Sequence, residues 1–213
     1  MFFFGACFVF LAANLSLRTA LELLRITLLE REACTDPLTG VFNRRYLDIR
    51  LVEEIARARR HRLPLSILLL DLDHFKRIND SHGHQGGDQL LISLGQVVAG
   101  ALRESDTLAR FGGEEFLVIT PHTPLSGAID VAERVCRRIQ SHGFSLSNDP
   151  RGMREIAVTA SIGVASLDDR VDSMDKLVQT TDENLYRAKR EGRNRVVAGT
   201  PVAPGPAIPI AIP

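Results

Sequence analysis

Three carboxylates fall where two short strands could bring them together. Asp71 closes an apolar run, Leu65-Ser66-Ile67-Leu68-Leu69-Leu70, that continues into Leu72 and Asp73. Glu114 and Glu115 follow the pair Gly112-Gly113. If the two segments lie side by side, Asp71, Glu114 and Glu115 converge at one sheet end. Three unpaired acids at one place repel each other, and burial raises their pKa values. A hard divalent cation relieves that repulsion, and Mg²⁺ favours sites of one or two carboxylates completed by substrate phosphates. Position alone also allows a second reading, solvated turn carboxylates that hydrogen-bond their own backbone, because turns collect Asp for this purpose.

The elements around these acids follow from the hydrophobic spacing. The run from Leu65 shows no alternation, which marks a strand buried on both faces. Residues 87–102 carry helical spacing through Leu90, Leu91, Leu94, Val97, Val98 and Leu102. Strands are expected at about 106–111 and 115–120, with Gly112-Gly113-Glu114 as the hairpin turn, since primed turns need the positive φ that glycine adopts freely. Residues 125–141 form an amphipathic helix through Ile129, Ala132, Val135 and Ile139. Residues 155–165, EIAVTASIGVA, alternate and are rich in β-branched side chains, so they predict one strand. A helix over 173–190 and a short strand over 195–198 complete the series. An earlier helix at about 44–60, with Leu47, Leu51 and Ile55 on one face, packs on the flank. The order β-α-β-β-α-β with an added αβ unit is a split βαβ arrangement, so the expected class is a layered α+β domain.

Composition narrows the function. The 213 residues hold 26 Lys+Arg against 26 Asp+Glu, and a nucleic-acid polymer binder would need a basic surplus to neutralise phosphates. Cys7, Cys34 and Cys136 form no C-x-x-C pair, which excludes a disulfide scaffold and a Cys-rich zinc site and fits a reducing compartment. Residues 1–17 carry no charge. As a helix they would be about 25 Å long, short of the hydrocarbon core, and Asn14 and Ser16 weaken a lipid-facing surface. A signal peptide lacks its preceding cation, and a helix buried in a partner or in the domain is possible. The expectation is a short or truncated membrane anchor, with Arg18, Arg25 and Arg31 keeping the remainder on the cytoplasmic side. Leu17, Leu21, Leu24 and Leu28 then repeat at intervals of 4, 3 and 4. Over 18–35 this is either a dimeric stalk helix or an amphipathic helix lying on its own domain. Residues 199–213 hold five prolines and no charge, so a disordered tail is expected.

Four motifs carry a resemblance. Residues 112–116 read Gly-Gly-Glu-Glu-Phe, 71–88 read DLDHFKRINDSHGHQGGD, 36–45 read DPLTGVFNRR, and 186–194 read YRAKREGRN. In this order and spacing they resemble the GGDEF domain of diguanylate cyclases, a family involved in signal transduction, over about residues 33–198. The resemblance implies a fold like a polymerase palm or nucleotidyl cyclase. Its central sheet is mainly antiparallel, flanked by helices and preceded by a long helix, with the domain at 36–198. It implies condensation of two GTP into cyclic di-GMP with release of two pyrophosphates. By position, Asp71, the Leu72 carbonyl, Glu114 and Glu115 would hold two Mg²⁺ or Mn²⁺ ions. Glu114 is also the candidate to accept the attacking hydroxyl's proton, with a metal-bound hydroxyl as the alternative.

The resemblance assigns the remaining roles residue by residue. Lys76 would contact phosphate, as would Lys189 and Arg193, which lie four apart on one helix face. Asn79 and Asp88 would select guanine, whose N1–H and N2 donors suit an acid and whose acceptors suit an amide. His84 would touch the nucleotide. Asp36 with Arg44 and Arg45 matches the family's opening motif, where a structural brace linking stalk to domain is the preferred role. Arg103 and Asp106 form the R-x-x-D of a product-inhibition site, at which cyclic di-GMP would bind. One GTP per domain requires two domains face to face, hence a homodimer. The chain would sit at the inner membrane of a bacterium with this domain in the cytoplasm, a cytoplasmic protein being the alternative. Thr181 and Asn184 stand where the family usually has alanine. A rival role is a catalytically silent module that binds GTP or cyclic di-GMP.

Overall fold

The structure, a computed structural model, describes residues 34–146 and 155–199 together with Arg18. The expected anchor, most of the stalk helix and the Pro-rich tail lie outside the described residues. Helix α1 spans Arg44–His61. Strand β1 spans Leu65–Leu72 and helix α2 spans Phe75–Ala99. Strands β2 and β3 span Thr107–Arg110 and Glu115–Pro121. Helix α3 spans Leu125–Ser141. Two-residue strands β4 (Phe144–Ser145) and β5 (Glu155–Ile156) pair with each other. Strand β6 spans Ala160–Ser166, helix α4 Met174–Arg190 and strand β7 Val196–Ala198.

The main sheet has the order β2-β3-β1-β6-β7. Only β6 and β7 run parallel; the other neighbours are antiparallel. This is the expected layered α+β fold with a split βαβ core and one added strand. Strand β1 is buried along its whole length although both its neighbours are antiparallel to it, because helices cover both faces of the sheet. Its period of two sorts the side chains. Leu68, Leu70 and Leu72 join the core built with Leu90, Leu94, Val98 and Ala132 of α2 and α3. Leu65, Ile67 and Leu69 join Leu47, Leu51, Leu177 and Leu185 of α1 and α4. Truncating any of these leucines to Ala would cost about 2–5 kcal/mol.

The same parity directs chemistry. Asp71 continues the series 65, 67, 69 and therefore lies on the α1/α4 side. Glu115 precedes Leu117 and Ile119, which share that side, and it stands directly opposite Asp71 in the ladder.

Two elements differ from the expectation. The strand predicted over 155–165 is divided: Glu155 and Ile156 pair with Phe144 and Ser145 in the small sheet, and β6 begins only at Ala160. Alternating β-branched residues run through the break, so periodicity could not reveal it. The helix predicted from 87 begins instead at Phe75 and is broken at Gly83, whose φ of 71° and ψ of 170° are not helical. Its first part is polar and carries no apolar stripe. Caps define the flanking helices: Asn43 accepts from Tyr46 N at 2.9 Å at the start of α1, and Ser173 from Lys176 N at 3.3 Å at the start of α4.

Candidate active site

At the end of the central strands, β1 delivers Asp71 and the β2–β3 hairpin delivers Glu114 and Glu115. Directly opposed like charges on one face disfavour pairing, so a purely structural pair of acids is a poor explanation for Asp71 facing Glu115. All three carboxyls sit above their ordinary range. For Asp71 burial is the main cause; the Lys189 ammonium pulls back down and the nearby Asp73 pushes further up. For Glu114 and Glu115, burial comes first and the charge of Asp71 second, again against Lys189. One cation answers the cluster at short range: Lys189 Nζ lies 2.8 Å from Asp71 Oδ2. Among the described residues no group of three or more His, Cys, Asp or Glu is arranged to hold a metal by itself.

Lys189 reaches the cluster because α4 lies unusually close to the sheet. A Cβ on Gly163 in β6 would collide with the Thr181 carbonyl and the Leu185 amide of α4. The two residues that depart from alanine serve this contact. Thr181 is fully buried and donates to Leu177 O at 2.6 Å. Asn184, also fully buried, donates to Val164 O at 2.9 Å and to Gly199 O at 2.7 Å, tying α4 to β6 and to the end of β7. Arg193 does not share a helix face with Lys189 as their spacing of four suggested: α4 ends at Arg190, and Arg193 follows it in a left-handed conformation, φ 61°, near enough to lower the Asp71 carboxyl.

The start of α2 carries the other group. His74 precedes the helix with φ 61° and makes no side-chain cap hydrogen bond, and the first turn of a helix presents amide N–H groups suited to anions. Lys76 lies in that turn and is exposed. Asn79 is half-buried, and its Oδ1 is buried without a hydrogen-bond partner. A Cβ at Gly87 would run into that same Oδ1, so this glycine makes room for the amide. His84 and Asp88 are exposed beyond the break at Gly83. Leu72 is buried at the end of β1, opposite Ala160.

Arg103 and Asp106 stand apart from this group. They close a turn in which Asp106 Oδ2 accepts from Arg103 N at 2.9 Å and Arg103 O accepts from Asp106 N at 3.0 Å. They border a cleft of about 830 Å³ with Phe42, Tyr46 and Leu102.

Two residues without a sequence-assigned role matter to the site. Arg110 donates to Asp36 Oδ1 at 3.2 Å and to the Gly113 carbonyl at 2.7 Å, so it fastens the 36–43 segment to the turn that carries Glu114. Asp36 is thus tied to β2 through Arg110, and Arg44 lies over the Phe111 ring at 4.3 Å. Asp73 is buried and accepts from Ser161 Oγ and Thr159 Oγ1, each at 2.7 Å, and from Asn194 N at 3.0 Å. The only sequence signal for Asp73 is its spacing of two from Asp71, which resembles a second ligand of the cluster and not an internal anchor.

The fold and the acid cluster together define a palm-like α+β domain, and comparison gives the family. Residues 33–195 match the family described as "Diguanylate cyclase, GGDEF domain", and the chain belongs to it. It is 41% identical over 165 residues to the response regulator PleD of Caulobacter vibrioides, covering 78% of this chain and 36% of that one. To the diguanylate cyclase DgcP of Pseudomonas aeruginosa it is 39% identical over 166 residues, covering 78% and 24%. The chain therefore spans about a third or less of the length of these relatives. Among solved structures, the coiled coil and GGDEF domain of DgcB from Caulobacter crescentus in complex with c-di-GMP aligns with a TM-score of 0.78 at 33% identity, over 89% of this chain and 99% of that one. Diguanylate cyclase SiaD in complex with its activator SiaC from Pseudomonas aeruginosa aligns at 0.75 and 36% identity, over 88% and 70%.

Proposed function

We propose that this domain is the catalytic unit of a diguanylate cyclase, joining two GTP molecules into cyclic di-GMP with release of two pyrophosphates. The observation that carries the reading is Asp71 facing Glu115, with Glu114 beside them and all three carboxyls held above their ordinary range. Such a set is short of positive charge, and its hard oxygen donors suit two Mg²⁺ or Mn²⁺ ions, held by Asp71, the Leu72 carbonyl, Glu114 and Glu115 and completed by GTP phosphates. When bound, such ions stabilise charge on the reacting phosphate and the departing pyrophosphate. Lys189, Arg193, Lys76 and the first amides of α2 hold the triphosphate. Asn79 offers its unpartnered carbonyl oxygen to the guanine edge, and Asp88 supplies an acceptor for the guanine donors. His84 lies beside the nucleotide. Glu114 takes the proton from the attacking 3′-hydroxyl.

Each domain supplies one GTP, so the reaction needs two domains face to face in a homodimer. Arg103 and Asp106 bind cyclic di-GMP as a feedback inhibitor. Among the described residues no helix is long and apolar enough to cross a membrane. The test incubates the full chain with GTP and Mg²⁺ and follows both products. Two pyrophosphates per cyclic di-GMP support the proposal; bound GTP with no product by a folded dimer establishes the silent-module role instead. In the same assay Arg103→Ala keeps the initial rate and loses inhibition by added cyclic di-GMP.

A further inference from the structure

Asp73 is a buried carboxylate whose hydrogen-bond partners are all neutral. Its Oδ1 accepts from Ser161, and its Oδ2 accepts from both Thr159 and the Asn194 amide. Its own amide donates to the Thr159 carbonyl at 2.9 Å. Those donors come from two places far apart in the chain: the lead into β6, and the loop that follows α4. A buried charge is retained only where its surroundings satisfy it, and here that satisfaction joins three segments at one point.

The loop is the informative partner. Gly192, Arg193 and Asn194 have φ values of 113°, 61° and 47°. Left-handed backbone at two consecutive non-glycine residues persists only when the surroundings over-determine it. Three bonds do so here: Arg193 N to Ala188 O at 3.0 Å, Asn194 N to Asp73, and Ile162 N to Arg195 O at 2.9 Å. The Asn194 side chain adds a contact with the buried Cys136 thiol at 3.6 Å. Of these, only the Asp73 bond is to a carboxylate, a stronger acceptor than a neutral carbonyl oxygen. The residue it fixes is adjacent to Arg193, whose charge acts on Asp71.

We propose that Asp73 is a positioning residue: its carboxylate clamps the Asn194 amide, holds the loop in its left-handed form, and so aims Arg193 at the triphosphate site. The inference rests on the phosphate-binding role proposed for Arg193. Asp73 itself touches no substrate. It turns the second acid of the Asp71-Leu72-Asp73 segment away from the metal-type cluster and into the scaffold.

The experiment is a double-mutant cycle on the full chain with Mg²⁺. The probes are 3′-deoxy-GTP, which lacks the attacking hydroxyl, and GMP, which lacks the outer phosphates. Arg193→Ala should weaken 3′-deoxy-GTP at least about tenfold and GMP less than about twofold. Asp73→Ala should do the same, and the double variant should be no weaker than about twofold beyond Arg193→Ala, because both changes remove one interaction. Asp73→Asn keeps an acceptor of the same size for the Asn194 amide but removes its charge, so it should weaken 3′-deoxy-GTP several-fold, less than Asp73→Ala does. Should Asp73→Ala fail to fold, Asp73→Asn carries the test through a milder, several-fold loss for 3′-deoxy-GTP alone and faster amide exchange over residues 192–195. Independent, multiplying effects of Asp73 and Arg193, equal losses for both nucleotides, or unchanged 3′-deoxy-GTP binding by a folded Asp73 variant would overturn the proposal. If Arg193→Ala itself leaves 3′-deoxy-GTP binding intact, the phosphate role of Arg193 falls, and the positioning role with it. That result is distinguishable from an Asp73 failure beside a damaging Arg193→Ala.

Discussion

Asp36 is half-buried and Asp71 buried, and each forms a short ion pair with one cation, yet their carboxyls are pushed in opposite directions. Burial raises both, and it is the largest single influence on each. At Asp36 it is outweighed by donors: the Thr39 hydroxyl at 2.7 Å, the Thr39 amide at 2.9 Å and Arg110 at 3.2 Å hold it below the ordinary value. At Asp71 the surroundings supply one short cation, Lys189, and three more acids. The fold can evidently satisfy a carboxylate when the role is mechanical. Leaving three of them under-compensated at the adjoining sheet end costs stability, which a bound cation would offset.

The largest effect expected from that contrast is at Glu115. Glu115→Ala removes one of the proposed metal donors without opening a core cavity. Cyclic di-GMP formation should fall by about 10³-fold or more, equivalent to roughly 4 kcal/mol of transition-state stabilisation, while circular dichroism and the melting temperature stay at or above wild type. A folded variant with near-normal turnover would break the assignment.

Next in size is the response to ligand. If the acids are short of charge, Mg²⁺ with 3′-deoxy-GTP at about 100 times its dissociation constant should stabilise the fold by about 2.7 kcal/mol. For a domain of this length that is a rise of about 5–10 °C in melting temperature, and Glu115→Ala should lose most of it. Smaller again is the brace. Asp36→Ala should cost about 1–3 kcal/mol by stranding Arg110 and the Thr39 donors, measured by denaturant unfolding without metal. Because the Asp36 carboxyl is lowered on folding, its contribution is complete above the unfolded value of 3.8 and is lost as the pH falls through the folded one. Wild type and variant should therefore converge in strong acid.

The legible part of this molecule was whatever is written locally. The unbroken apolar run marked β1, and the expected pairing of that strand with the hairpin already implied that Asp71, Glu114 and Glu115 would converge. The paired glycines marked the hairpin, although neither Gly112 nor Gly113 takes the positive φ expected of a primed turn. The split of β5 from β6 was not legible, because Val158 keeps the alternation going across it while pairing partners at Phe144 and Ser145 are chosen elsewhere. Nor were the two fasteners. Arg110 meets Asp36 across 74 residues and Asn194 meets Asp73 across 121; no spacing in a single sequence encodes such a pair. Motif resemblance named Lys189 as a phosphate ligand, but its ion pair with Asp71 comes from the close packing of α4 on Gly163.

The subtlest prediction tests the contrast without ligand or catalysis. Glu115→Gln keeps the shape of the side chain and removes one of two directly opposed charges. Because the Glu115 and Asp71 carboxyls are raised on folding, the native state binds protons that the unfolded chain has already released. Stability therefore falls as the pH rises from the unfolded values through the raised folded ones, the reverse of Asp36. Metal-free Glu115→Gln should then be more stable than wild type at pH 7, by about the 0.2–1 kcal/mol typical of a cross-strand pair. The gain should shrink as acid protonates the cluster in both proteins. Paired urea titrations at pH 7 and near pH 4 read the difference directly. A Glu115→Gln variant less stable than wild type at pH 7 would mean that Lys189 and its neighbours already balance the cluster, leaving the acids no unmet need for a cation.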